Sequence, residues 1–220
     1  MVQELLGELR LVLRGKTLDT LLPPILFVLS YSFLELNPAL FVALVAGGVI
    51  FLLRLYHKHT IVYAMFGLLG VLIAFLFAFI SGTASNYYLP SIISSAVVLL
   101  LTFFSLLFKK PLALWLSHLT RNFPIEWYQR RDVLPAYQEV TIGWLVLLSL
   151  RFFILLGFFL EGDAVRYGIF NVLLGLPATI VALLITYIYG VWRLQKLGGP
   201  SVDEFKQNAP PPWESQKKGF

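Results

Sequence analysis

The chain has 220 residues, 58% hydrophobic and 13% charged, with a mean hydropathy of +0.79 and a formal charge of +5. That is far more apolar than a soluble domain, and several segments approach or exceed the length needed to span a bilayer. The absence of cysteine excludes disulfides and thiolate metal sites, three histidines leave little for zinc, and the basic balance fits lysine and arginine held on one side of a membrane rather than a nucleic-acid partner.

In chain order, Val2, Leu5, Leu6, Leu9, Val12 and Leu13 fall at helical spacing, with Gln3, Glu4, Glu8, Arg10 and Arg14 mostly elsewhere on the wheel. Residues 1–16 therefore read either as an amphipathic surface helix or as a frayed polar leader. An acid-containing segment precedes the first apolar run and no small-residue cleavage pattern follows it, so no cleavable signal peptide is expected. The first two spans are predicted at about 18–34 and 38–53, with Pro38 suited to open the second. Both are short, and they either cross fully or form a re-entrant hairpin. Arg54, His57, Lys58 and His59 form the next loop; the two histidines share no helix face and have no carboxylate nearby, so they read as loop residues.

The third and fourth spans are predicted at about 60–80 and 87–108, where Lys109 and Lys110 stop the run. The connector 109–140 places Leu112, Trp115, Leu116 and Leu119 on one face, opposite Ser117, His118 and Arg121. That pattern predicts an interfacial helix with Trp115 at head-group level. Pro135 can open the helix of the fifth span, 141–160, and the sixth, 167–192, is interrupted at Pro177. The polar, proline-rich residues 198–220 read as a mobile tail. Fifteen of the 17 Lys and Arg residues fall in the leader, the second-to-third loop, the connector and the tail, while Arg166 alone lies in the opposite loops. Six spans over residues 17–197, the transmembrane domain, put both termini on one side, and that asymmetry predicts the side is cytoplasmic.

Arg151 completes the 17 and lies close to the middle of the fifth span. At the helix centre it costs roughly 2.5–3.5 kcal/mol on the insertion scale, and each Leu, Ile, Phe or Val returns about 0.3–0.6. Fourteen such residues lie between Ile142 and Leu160, so the segment inserts without a partner for the charge. Intramembrane charges nevertheless face the bundle interior or a wet cavity. Ser94, Ser95 and Thr102 on the fourth span and Thr179 on the sixth are predicted to flank its level, and no carboxylate does. Arg151, Ser94, Ser95, Thr102 and Thr179 are thus the candidate polar cluster, serving either as a helix lock or as a seat for an anionic solute or lipid head group. Small residues at Gly67, Gly70, Ala74 and Ala78 on the third span, with Ala39, Ala43 and Gly47 on the second, mark helix-packing seams. No internal repeat, nucleophile elbow, phosphate loop or catalytic carboxylate pair is present, so neither an enzyme nor a cofactor is expected.

The order of Leu22-Pro23-Pro24-Ile25, Arg54, Gly67-Leu68-Leu69-Gly70-Val71, Ser81-Gly82-Thr83-Ala84, Tyr88-Leu89-Pro90, Lys110-Pro111-Leu112, Trp144, Arg151 and Gly175-Leu176-Pro177 resembles a bacterial family known as domain of unknown function 3159, over about residues 18–194. More distantly the plan is similar to the inner-membrane septation protein A family, which shares a basic-Pro-Leu step after a span. The first resemblance implies a bacterial plasma-membrane protein, and the second implies cell-envelope or division work through protein partners. The expectation is therefore an all-α, polytopic membrane protein of six transmembrane helices with amphipathic interfacial helices. It is expected to be a non-catalytic component of envelope assemblies, with a small transporter, channel or lipid-handling protein as the alternative.

Overall fold

The computed structural model describes residues 16–56, 61–217 and 219–220, so the predicted leader helix over Val2–Leu13 and the pair His57 and His59 lie outside the described residues. The described chain is helical: α1 Lys16–Tyr31, α2 Leu36–Tyr56, α3 Ile61–Ser81, a 3-10 helix Ala84–Tyr88, α4 Leu89–Leu107, α5 Leu112–Arg121, α6 Ile125–Tyr128, α7 Leu134–Leu160, α8 Ala164–Leu173, α9 Leu176–Leu197 and α10 Val202–Lys206. Among the described residues, four stretches are long and apolar enough to cross a membrane, namely Leu36–Leu53, Ala84–Leu107, Leu134–Leu160 and Ala164–Leu197. Two more of the six predicted spans have shorter apolar helices among the described residues, Leu22–Tyr31 and Leu68–Ser81.

The predicted sixth span is two helices. α8 stops at Leu173, Leu174 and Gly175 turn, and α9 begins at Leu176 with Pro177 in its first turn, where its missing N–H costs nothing. Gly175 lets the chain fold tightly onto the preceding turn, since a Cβ there would lie 2.6 Å from the Asn171 carbonyl oxygen.

The chain divides into two compact units. The first contains the described residues up to Ser95 together with 151–178. Its core gathers Phe27, Ala39, Leu40, Ala43, Ala78, Tyr87, Tyr88, Leu155 and Tyr167. Along the small-residue seam Ala39 and Ala43 on α2 and Ala78 on α3 are fully buried, and a Cβ added at Gly47 would lie 3.4 Å from the Val71 side chain. Ala74 is also buried, whereas a Cβ at Gly70 would meet open space. Gly67 lies on α3.

The second unit contains residues 96–150 and 179–220. Trp127, Tyr128, Ala136 and Tyr137 are fully buried at its centre. Glu139 on α7 receives two hydrogen bonds from Arg193 of α9, at 2.7 and 2.8 Å, and a third from the Tyr189 hydroxyl at 2.7 Å. A mobile tail is predicted over 198–220, but the structure folds the described residues there onto this unit. Ser201 and Glu204 form a reciprocal capping box that starts α10, and Trp127 Nε1 donates to the Pro200 carbonyl at 2.8 Å. Phe220 stacks on Tyr137 with ring centroids 4.3 Å apart, and the Arg130 guanidinium lies 5.1 Å from the Trp213 ring. Aromatic anchors and a helix cap thus offset the disorder that polar, proline-rich composition favours.

Candidate functional site

The site is built in the first unit by α7 and α8. Glu161, Gly162 and Asp163 join them in a tight turn, Gly162 taking φ +75°, a left-handed conformation that suits glycine. Asp163 then caps α8 by accepting the Arg166 amide at 2.8 Å. Four-residue spacing from this cap puts Tyr167 and Asn171 on one helix face.

At the far end of that face, Arg151 Nη2 donates to Asn171 Oδ1 at 2.9 Å. The partner is a neutral carboxamide, so the bond orients the guanidinium without cancelling its charge. Arg151 Nε is buried and has no hydrogen-bond partner among the described residues. One turn closer to the cap, the Tyr167 hydroxyl lies 3.4 Å from Ser91 Oγ on α4, and its fully buried ring stacks on Tyr88 at 4.2 Å. Tyr88 in turn meets Tyr87 edge-on at 5.2 Å, and Tyr87 stacks on Phe27 of α1 at 4.1 Å. This aromatic ladder carries the position of α8 to α1.

Gly168 makes the ladder possible. A Cβ there would lie 2.0 Å from Val28 Cγ2 and 2.7 Å from the Tyr88 hydroxyl oxygen, so only a glycine admits the helix this close. The Tyr88 hydroxyl is, like Arg151 Nε, buried without a partner among the described residues.

Of the candidate cluster, Arg151, Ser94 and Ser95 belong to this unit, and Thr102 and Thr179 to the other. Arg151 bonds to Asn171 rather than to Ser94, whose hydroxyl is exposed and returns to the Ser91 carbonyl at 3.0 Å. Thr102 is fully buried and donates to its own helix at the Val98 carbonyl, 2.8 Å away. Ser95 and Thr179 are half-buried. The residue that sequence reasoning passed over is Asn171. Its signal was available: it is a carboxamide in a long apolar run, where an unpaired amide is expensive.

Two open clefts in the first unit lie elsewhere. A groove of about 610 Å³ between α1 and α2 is lined by apolar side chains including Leu22, Leu26, Phe41 and Val45. A cleft of about 850 Å³ gathers the turns after α1, α3 and α7, with Glu35, Asn86 and Phe159 in its lining. Neither is lined by Arg151. Among the described residues, no cluster of His, Asp and Glu could hold a metal ion.

A family model described as protein of unknown function (DUF3159) matches residues 14–195 of the chain. No curated protein and no solved structure matches it.

Proposed function

This chain belongs to the DUF3159 family of proteins of unknown function, and from that premise we propose a six-span protein of the bacterial plasma membrane with both termini cytoplasmic, acting as a non-catalytic component of cell-envelope or division assemblies. The distribution of Lys and Arg supports the orientation. For α1, 16 residues rise about 24 Å against a hydrocarbon core of about 30 Å, a mismatch that local thinning accommodates.

The observation that carries the reading is the bond from Arg151 to Asn171. A guanidinium aimed at a neutral side chain of the adjoining helix fixes that helix pair, which is what a scaffold requires. Large apolar side chains such as Phe33, Phe41, Val45 and Leu52 remain exposed for lipid or for partner helices. In-cell crosslinking from these positions should recover specific membrane proteins. Failure to enrich any would remove the assembly reading.

A second reading rests on the unpaired Arg151 Nε. A cation with a free planar donor can hold an anionic solute or a lipid phosphate, making the protein a small transporter, channel or lipid handler. Substrate-dependent flux in liposomes that weakens in Arg151→Leu would favour it, and flux indifferent to that change would exclude Arg151 from the mechanism.

A further inference from the structure

We propose that Lys109 and Lys110, together with the outward face of α5, form a docking surface for anionic phospholipid head groups at the bilayer interface. The turn after α4 is the starting point. The Lys110 amide donates to the Ser105 carbonyl at 2.9 Å and the Lys109 amide to the Leu106 carbonyl at 3.0 Å, the crossed pair of bonds that closes a helix in a Schellman motif. The residue at the turn's left-handed position is Lys109, with φ +55°. Glycine is the usual occupant because a Cβ is penalised there. A lysine kept against that preference needs a use for its charge.

The surroundings supply the use. Both lysines are exposed, and neither ammonium has a hydrogen bond or ion pair among the described residues. Pro111 is fully buried behind them, while Ser105 Oγ accepts the Leu112 amide and Thr141 Oγ1 the Ala113 amide, so the turn is pinned to the start of α5. α5 buries Leu114 and Ser117 and turns Trp115, Leu116 and Leu119 outward, 38%, 56% and 77% exposed. Phe104, Leu107 and Phe108 at the end of α4 are exposed as well. A cationic pair beside outward apolar side chains and a tryptophan fits the boundary between acyl chains and anionic head groups.

The inference rests on the membrane placement proposed above. A full-length protein that does not enter bilayers at all would refute that placement; one that enters without preferring anionic lipid refutes only the docking surface. The test is native mass spectrometry of the full-length protein titrated with phosphatidylglycerol and with phosphatidylcholine. Each lysine near an anionic surface contributes roughly fivefold. Lys110→Gln should therefore reduce the preference for phosphatidylglycerol about fivefold and leave the thermal midpoint unchanged. Lys109→Gly should reduce it equally while raising the midpoint, because glycine relieves the turn. A preference that survives both substitutions overturns the proposal. So does loss of bound phosphatidylglycerol to millimolar inorganic phosphate, which would mark a site for a free anion.

Discussion

The bond between Arg151 and Asn171 can be weighed by a double-mutant cycle. Asn171→Leu leaves Nη2 of a half-buried guanidinium, as well as its buried Nε, without a partner. Arg151→Leu strands one neutral oxygen and removes a donor that was already unpaired. An unsatisfied buried polar group costs about 1–3 kcal/mol, more when charged, so Asn171→Leu should destabilise by about 2 kcal/mol and Arg151→Leu by no more than about 1. The double variant strands nothing and should lie within about 1 kcal/mol of the parent, giving a coupling of about 1–3 kcal/mol, at or above the upper end measured for hydrogen bonds within membranes. Reversible unfolding of the four proteins in one detergent reads these values. Additivity within about 0.5 kcal/mol would refute the lock. An Arg151→Leu variant more stable than the parent would instead mark an arginine kept at a cost, and would direct attention to an anionic ligand.

Three further outcomes test the packing. Gly168→Ala drives a methyl to 2.0 Å of Val28 Cγ2 and should cost about 1–3 kcal/mol of overpacking, with Val28→Ala restoring most of the loss; thermal midpoints of the single and paired variants decide it. Gly190→Ala places a Cβ 2.4 Å from the Phe220 ring, so the ring should leave Tyr137 and hydrogen exchange at Gly219 should quicken while the Ser201 cap stays protected. The Glu214 amide, followed by the amide and hydroxyl of Ser201, holds the Glu204 carboxyl below its ordinary range. A depressed acid stabilises fully above its unfolded pKa of about 4.3 and loses that contribution as pH falls through the lower, folded value. Tail docking followed by Trp213 fluorescence should therefore loosen on acidification below about pH 4, and Glu204→Gln should flatten the profile.

Much of this architecture is legible in the sequence because long apolar helices need only sustained apolarity, and that signal survives averaging over many residues. Stretches that match the second, fourth and fifth predicted spans to within a few residues are long and apolar enough to cross, α7 opens at Leu134 beside Pro135, and α5 turns Trp115 outward as its periodicity predicts. The break between α8 and α9 is less legible. Pro177 signals an interruption, but the turn is set by Gly175, where a Cβ would lie 2.6 Å from the Asn171 carbonyl oxygen, and proximity to a preceding carbonyl leaves no periodic trace. The tail misleads for a related reason. Pro210, Pro211 and Pro212 suggest mobility through composition, whereas docking depends on single long-range contacts, Trp213 beside Arg130 and Phe220 on Tyr137.

The candidate site shows where depth alone falls short as a guide. Counting residues places Ser94 and Thr102 near the level of Arg151, but a hydroxyl in a helix can reach its own carbonyls, and both side chains do so. Asn171 has the longer side chain and, from its place two turns past the Asp163 cap, projects a carboxamide to α7. For Arg151 the informative partner is therefore the carboxamide on the helix that follows α7 after a short turn, because that turn fixes register as well as depth. In this chain three residues, Glu161 to Asp163, fix the register, and the Arg151 guanidinium meets Asn171 as a result.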